Sequence, residues 1–178
     1  MNNSAFPESL SFPQAIAATQ SLIDQINSNQ LSELEVQQQI SSILSSKNGG
    51  RGFFVAYLTS DMPWADNPSV GVLNGLKSTQ EMSCELLVKN LAMSSAMIIA
   101  HSLNNDSENV AGSQKVYRRT CNLIQQLNLQ LINKKLQELQ NTIKNGSGEY
   151  QKFIERWDYS SEQKKAIQNS ISELQNLF

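Results

Sequence analysis

The stretch "RGFFVAYLTSDMPWADNP", residues 51–68, decides the fold. The chain around it carries helical patterns crowded with Gln, Asn and Ser. Here two Phe, a Tyr and a Trp fall in one short run, followed by a segment with Asp61, Pro63, Asp66 and Pro68. Phe53 to Leu58 is continuously apolar, so periodicity reads it equally as a buried strand or a buried helical turn. Its aromatic and β-branched content favours a strand. Against that, the chain offers no second convincing strand, and a lone strand leaves backbone groups unpaired. Helix or extended packing is therefore expected, with a single short strand at 53–58 as the alternative. Pro63 and Pro68 restrict the residues before them and make 61–68 a loop. Asn67 and Pro68 then start a short helix through Leu73 and Leu76.

Working toward the N-terminus, "SSKNGG" ends a helix through Asn48, Gly49 and Gly50, residues that tolerate the left-handed conformation. That helix opens on a Ser32–Glu35 capping box and turns Val36, Ile40, Ile43 and Leu44 inward. A first helix begins near Pro13, with Ser11 or Phe12 as its cap region and Ile16, Leu22, Ile23 and Ile26 on one face. The first ten residues read as loose.

Toward the C-terminus, Ser78 and Glu81 form a capping box for a helix over roughly 79–104. It is apolar nearly all round from Leu86 to Leu103, the mark of a central, buried helix. Ala92, Ala96 and Ala100 give it a small-residue ridge. A long helix is expected over 108–144, with Leu129, Ile132, Leu136, Leu139 and Ile143 as a heptad seam. "NGSG" at 145–148 reads as a flexible break. An aromatic turn and a helix after Ser160 follow, with Ile167, Ile171, Leu174 and Phe178 inward. The pattern gives an all-α helical bundle with a long central helix. Residues 1–144 are its main domain, made of a hairpin (12–46), a connector (47–68) and central helices (69–144). Residues 145–178 form a C-terminal helical hairpin, which can dock on the same domain.

With 178 residues the chain suffices for a buried core. Ser, Asn and Gln make up about a third of it, but the apolar residues keep helical spacing, which argues against disorder. The net charge of −2 gives no general attraction to nucleic acid or anionic lipid. Cys84, Cys121 and His101 are the only Cys and His residues, too few for a four-ligand Cys/His zinc site. The sequence shows no signal peptide, and "LAMSSAMIIA" (91–100), bracketed by Lys89 and His101, is too short to span a bilayer. A soluble cytoplasmic protein is expected, with no membrane insertion. The sequons at Asn2, Asn105 and Asn145 then go unused.

Several residues carry chemistry worth weighing. Lys89 and His101 lie on one ridge of the central helix with Glu85, Met93 and Met97. They read either as a polar pocket or as a Glu–Lys pair, core methionines and a histidine at the helix C-terminus, and the second is favoured. Cys84 and His101 are about 25 Å apart along one helix, too far for a dyad. Arg118 and Arg119, with Lys115, form a basic stretch that reads as a solvated face more readily than as a phosphate grip. Asp61 and Asp66 flank Trp64, where carboxylates serve acid–base work or, more commonly, cap turns. Phosphate-binding, dinucleotide, nucleophile-elbow and metalloprotease motifs are missing, so no catalytic residue, metal ligand or cofactor is assigned.

"RGFFVAYLTSDMPWADNPSVGVLNGLKS" followed by "ELLVKNLAMSSAMIIAH" resembles an uncharacterised family of cyanobacterial proteins over residues 51 to about 121. The resemblance implies a cytoplasmic protein of a photosynthetic bacterium and brings no activity with it. The function expected is a non-enzymatic protein-interaction, regulatory or assembly module acting as a homo-oligomer, with a protein partner and no nucleic acid. The alternative is a small-molecule-binding helical domain, possibly enzymatic, with a pocket between 51–68 and the helix at 79–104. Candidate binding residues are Arg51, Tyr57, Asp61, Trp64, Lys89, His101, Arg118 and Arg119. If Tyr57 and Trp64 are exposed together, 51–68 is the binding surface; if they are buried, it plugs the core.

Overall fold

The computed structural model describes residues 10–176. The expectations for Asn2, the rest of the first nine residues and Phe178 lie outside that range. The described residues form α-helices and one short 3-10 turn, and no strand occurs among them. The all-α class is therefore correct, and the strand alternative at 53–58 is not. The chain divides into two compact units, one ending at Leu86 and the other beginning at Leu87.

The first unit holds α1 (Phe12–Asn27), α2 (Glu33–Ile43), α3 (Lys47–Thr59), a 3-10 turn (Pro63–Ala65), α4 (Val70–Ser78) and the start of α5 (Gln80–Leu103). Ser11 and Ser32 cap α1 and α2, each in a full capping box, with Gln14 and Glu35 reaching back. The opening stretch lies mostly in α3. Gly49 and Gly50, expected to end α2, instead form the first turn of α3 behind the cap Ser46. A left-handed turn is not their role; close approach is. A Cβ on Gly49 would stand 1.8 Å from the Ile43 carbonyl oxygen, and one on Gly50 would stand 2.8 Å from Leu86 Cδ1.

The same device sets the packing of the whole unit. α3 lies on α1 where Gly52 meets Ala15, and α4 lies on α2 where Gly75 meets Ile40. Phe53, Phe54 and Tyr57 fill the core behind these contacts, all essentially inaccessible to solvent. A continuous apolar run can be helical here because helix neighbours cover nearly its whole circumference; Val55 alone within it is exposed.

The second unit holds α5 from Leu87 onward, α6 (Ser107–Leu127), α7 (Gln130–Asn145), α8 (Gln151–Trp157) and α9 (Ser161–Gln175). The single helix expected over 108–144 is two. Asn128 takes φ 44°, ψ 51° and closes α6 with its N–H on the Ile124 carbonyl. Asn tolerates this left-handed geometry, and a run of Leu and Gln around it masked the break. The expected seam survives on α7, where Ile132, Leu136 and Leu139 are buried and face α9 and α8. Ser78, expected to cap α5, is instead the last residue of α4, with its hydroxyl donating to the Gly75 carbonyl.

"NGSG" is a built turn and not a loose break. Gly146 (φ 72°) caps α7, and Gly148 (φ 147°) passes so close to Thr142 that a Cβ would stand 2.5 Å from its hydroxyl. The Thr142 hydroxyl also accepts from Tyr150 N–H, which ties the start of α8 to α7.

Candidate functional site

In the first unit the aromatic residues of the opening stretch form one stack. Tyr57 lies nearly parallel to Phe53, with ring centroids 5.4 Å apart, and meets Trp64 edge-on at 4.7 Å. Tyr57 is fully buried and Trp64 half-buried, so the stretch plugs the core and does not present a joint Tyr57–Trp64 surface. Trp64 Nε1 is buried and takes no hydrogen-bond partner among the described residues. Asp61 is exposed beside the 3-10 turn. Arg51 is exposed on α3 and sets its guanidinium 5.0 Å from the centre of the Phe12 ring, a cation–π contact between α3 and α1. Glu33, at the N-terminus of α2, accepts from the Ser69 hydroxyl and the Gly71 N–H and so links α2 to α4.

The other four candidate residues belong to the second unit. Lys89 Nζ stands 5.6 Å from the centre of the Phe153 ring, and Phe153 in turn meets Tyr150 and Tyr159 edge-on. Tyr159 is buried with no partner for its hydroxyl among the described residues, and burial raises its pKa. His101 Nδ1 is 3.8 Å from Asp106, the N-cap of α6. Hydrogen bonds from the Asn109 amide and backbone hold the Asp106 carboxyl below its ordinary value. Arg118 is exposed, whereas Arg119 is buried at 3% exposure, so the two do not form a joint basic surface.

Sequence reasoning did not single out a hydroxyl network in this unit. Ser95 on α5 donates to Ser170 on α9 at 2.9 Å, and Gln163 on α9 donates to the Ala96 carbonyl at 3.1 Å. Ser95 and the Ala96 carbonyl thus meet α9, whereas Ser94 bonds back to Asn90 and Leu91 within α5. Tyr117 on α6 donates to Glu173 on α9 at 3.4 Å. Burial pushes the Tyr117 hydroxyl up to about 12 and the neighbouring Cys121 thiol up to about 11. A thiol held that high is mostly protonated at neutral pH and is a poor nucleophile.

Also unmarked in the sequence is a cavity of about 190 Å³ where α7, α8 and α9 meet. Ile143 and Ile154 form its apolar wall, and Gln151, Glu155, Asp158 and Lys164 bring the polar groups. No periodicity reveals that a Lys and two carboxylates on different helices share one space. The nearest local signal is Asp158 itself, left-handed (φ 46°) as the cap of α8. Among the described residues no group of three or more His, Cys, Asp or Glu is arranged to hold a metal ion.

No curated protein and no solved structure matches the chain. A family model does, over residues 11–174, far beyond the segment that carried the resemblance. The chain belongs to the family described as uncharacterised conserved protein UCP020893.

Proposed function

We propose that the chain is a non-enzymatic protein-interaction module with an assembly or regulatory role, that it forms a homo-oligomer, and that it works in the cytoplasm of a cyanobacterium. The observation that carries this reading is the C-terminal end of α5. Met97, Ile98, Ile99 and Ala100 are each partly exposed in succession, and Leu103 is 72% exposed. The helix is long and apolar enough by composition to cross a membrane, yet only 39% of its most apolar window is buried. Covering an aliphatic side chain such as Leu103 is worth about 1.5–3 kcal/mol.

A second copy of the chain is the fitting cover, because a two-fold contact sets the same strip against itself. A net charge of −2 opposes that approach only weakly. Soluble rather than membrane assembly is supported by the earlier turns of α5, where Cys84, Leu87, Val88, Leu91 and Ala92 are buried against protein. Neither cysteine is in a disulfide, which suits a reducing compartment. Size-exclusion chromatography with light scattering tests the reading: a dimer or larger species is expected at about 10 μM, a range in which even modest self-association is populated. A clean monomer there contradicts it.

A further inference from the structure

The cavity between α7, α8 and α9 holds opposite charges that do not meet. Lys164, from α9, lines it, and its ammonium makes no hydrogen bond or ion pair among the described residues. Asp158, the cap of α8, lines it too, and its carboxylate is equally without a partner among them. Glu155 is different: it is exposed, and Gln151 donates to it at 2.8 Å. The two free charges are six residues apart in sequence and share one small space, yet they stay beyond ion-pairing distance. Ile154 (9% exposed) and Ile143 supply an apolar surface beside them.

We propose that this cavity binds a small zwitterion of the α-amino-acid class. The ligand carboxylate pairs with Lys164, its ammonium pairs with Asp158, and its side chain lies on Ile143 and Ile154. An α-amino acid carries its ammonium and its carboxylate on one carbon, so a single small molecule can offer a partner to each of the two charges. Charge-assisted hydrogen bonds of this kind are about twice as strong as neutral ones. Size sets the class further. The cavity's 190 Å³ is below the range of about 300 Å³ and more that larger ligands and cofactors occupy, so a nucleotide does not fit.

Isothermal titration of the full chain with L-valine tests this, with isobutylamine and isobutyrate as probes carrying one charge each. L-Valine is expected to bind saturably, and each single-charge probe at least about tenfold more weakly. Lys164→Met and Asp158→Asn are each expected to weaken L-valine at least about tenfold. Asn tolerates the left-handed backbone at position 158, so that variant keeps the turn. Thermal melts of both variants check the fold; if either melts early, the single-charge probes decide alone. The proposal is overturned if L-valine does not bind saturably up to about 10 mM, if either folded variant binds as well as the parent, or if a single-charge probe matches L-valine. The mass of the same samples by light scattering reads assembly separately, so this site and the oligomer stand or fall independently.

Discussion

In the first unit, α3 comes so near α1 that a methyl group on Gly52 would stand 2.5 Å from Ala15 Cβ. In the second, α9 is held to α5 by side chains that reach across, Ser170 to Ser95 and Gln163 to the Ala96 carbonyl. The first contact is made by what is missing from the chain, the second by what extends from it. The Gly52 contact leaves little slack, because Ala15 Cβ moves only with its backbone and the Ile16 nitrogen and Phe12 carbonyl oxygen stand 3.0 Å away. Side-chain contacts tolerate adjustment, and they leave space between helices that a ligand can use. The 190 Å³ cavity lies in the second unit.

Substitutions sharpen this contrast. Tyr57→Ala removes a fully buried ring stacked on Phe53 and edge-on to Trp64, and should cost about 3–5 kcal/mol in urea unfolding. Gly52→Ala forces α3 from α1 against the Ala15 side chain and the Phe12 carbonyl, for about 1–3 kcal/mol of lost stability. The second unit offers the opposite case. Gly112 on α6 has nothing within 4 Å of a would-be Cβ, so Gly112→Ala should stabilise by about 0.4–1 kcal/mol. Opposite signs for the two glycine changes are the expected outcome; equal signs break the comparison. Ser170→Ala should cost about 1 kcal/mol, because Ser95 keeps its bond to the Leu91 carbonyl.

The smallest expected effect is on acid stability. Hydrogen bonds from Ser32 hold Glu35 below its ordinary 4.5, and those from Asn109 hold Asp106 below its ordinary 3.8. A carboxyl with a lowered folded-state pKa stabilises the fold above its unfolded value and loses that stabilisation as pH falls through the folded one. The melting temperature should therefore be flat with respect to these groups near neutrality and decline below pH 4.5, first through Glu35. Ser32→Ala should lessen the Glu35 part of that decline without abolishing it, because the backbone N–H at position 32 still donates to the carboxylate.

Much of this was legible in the sequence. The helices announced themselves through periodicity and through serine caps at positions 11 and 32, and the heptad seam on α7 lies where spacing placed it. What failed was the reading of small and left-handed residues. Gly49 and Gly50 look alike whether they end a helix or let one approach, and only the neighbour at Leu86 tells which. Asn128 breaks a helix by a single backbone rotation, which leaves no mark on the apolar pattern around it. The candidate site was less legible still. Tyr57 reads from the sequence as part of a core plug, the favoured case, or of a binding surface, because an aromatic does not say which way it faces; it is core. Lys164 and Asp158 resemble any solvated charges until the fold puts them around one cavity.

The central claim is that the exposed end of α5 joins copies of the chain. Leu103 is 72% exposed, so changing it should leave the fold of the single chain intact. Sedimentation equilibrium of the parent and of Leu103→Glu, with melting curves for both, tests the claim most directly. The account predicts an oligomeric parent and a variant that dissociates to monomer at the same concentration while keeping its helical signal. An oligomer of unchanged mass in the variant, or a monomeric parent, would contradict it.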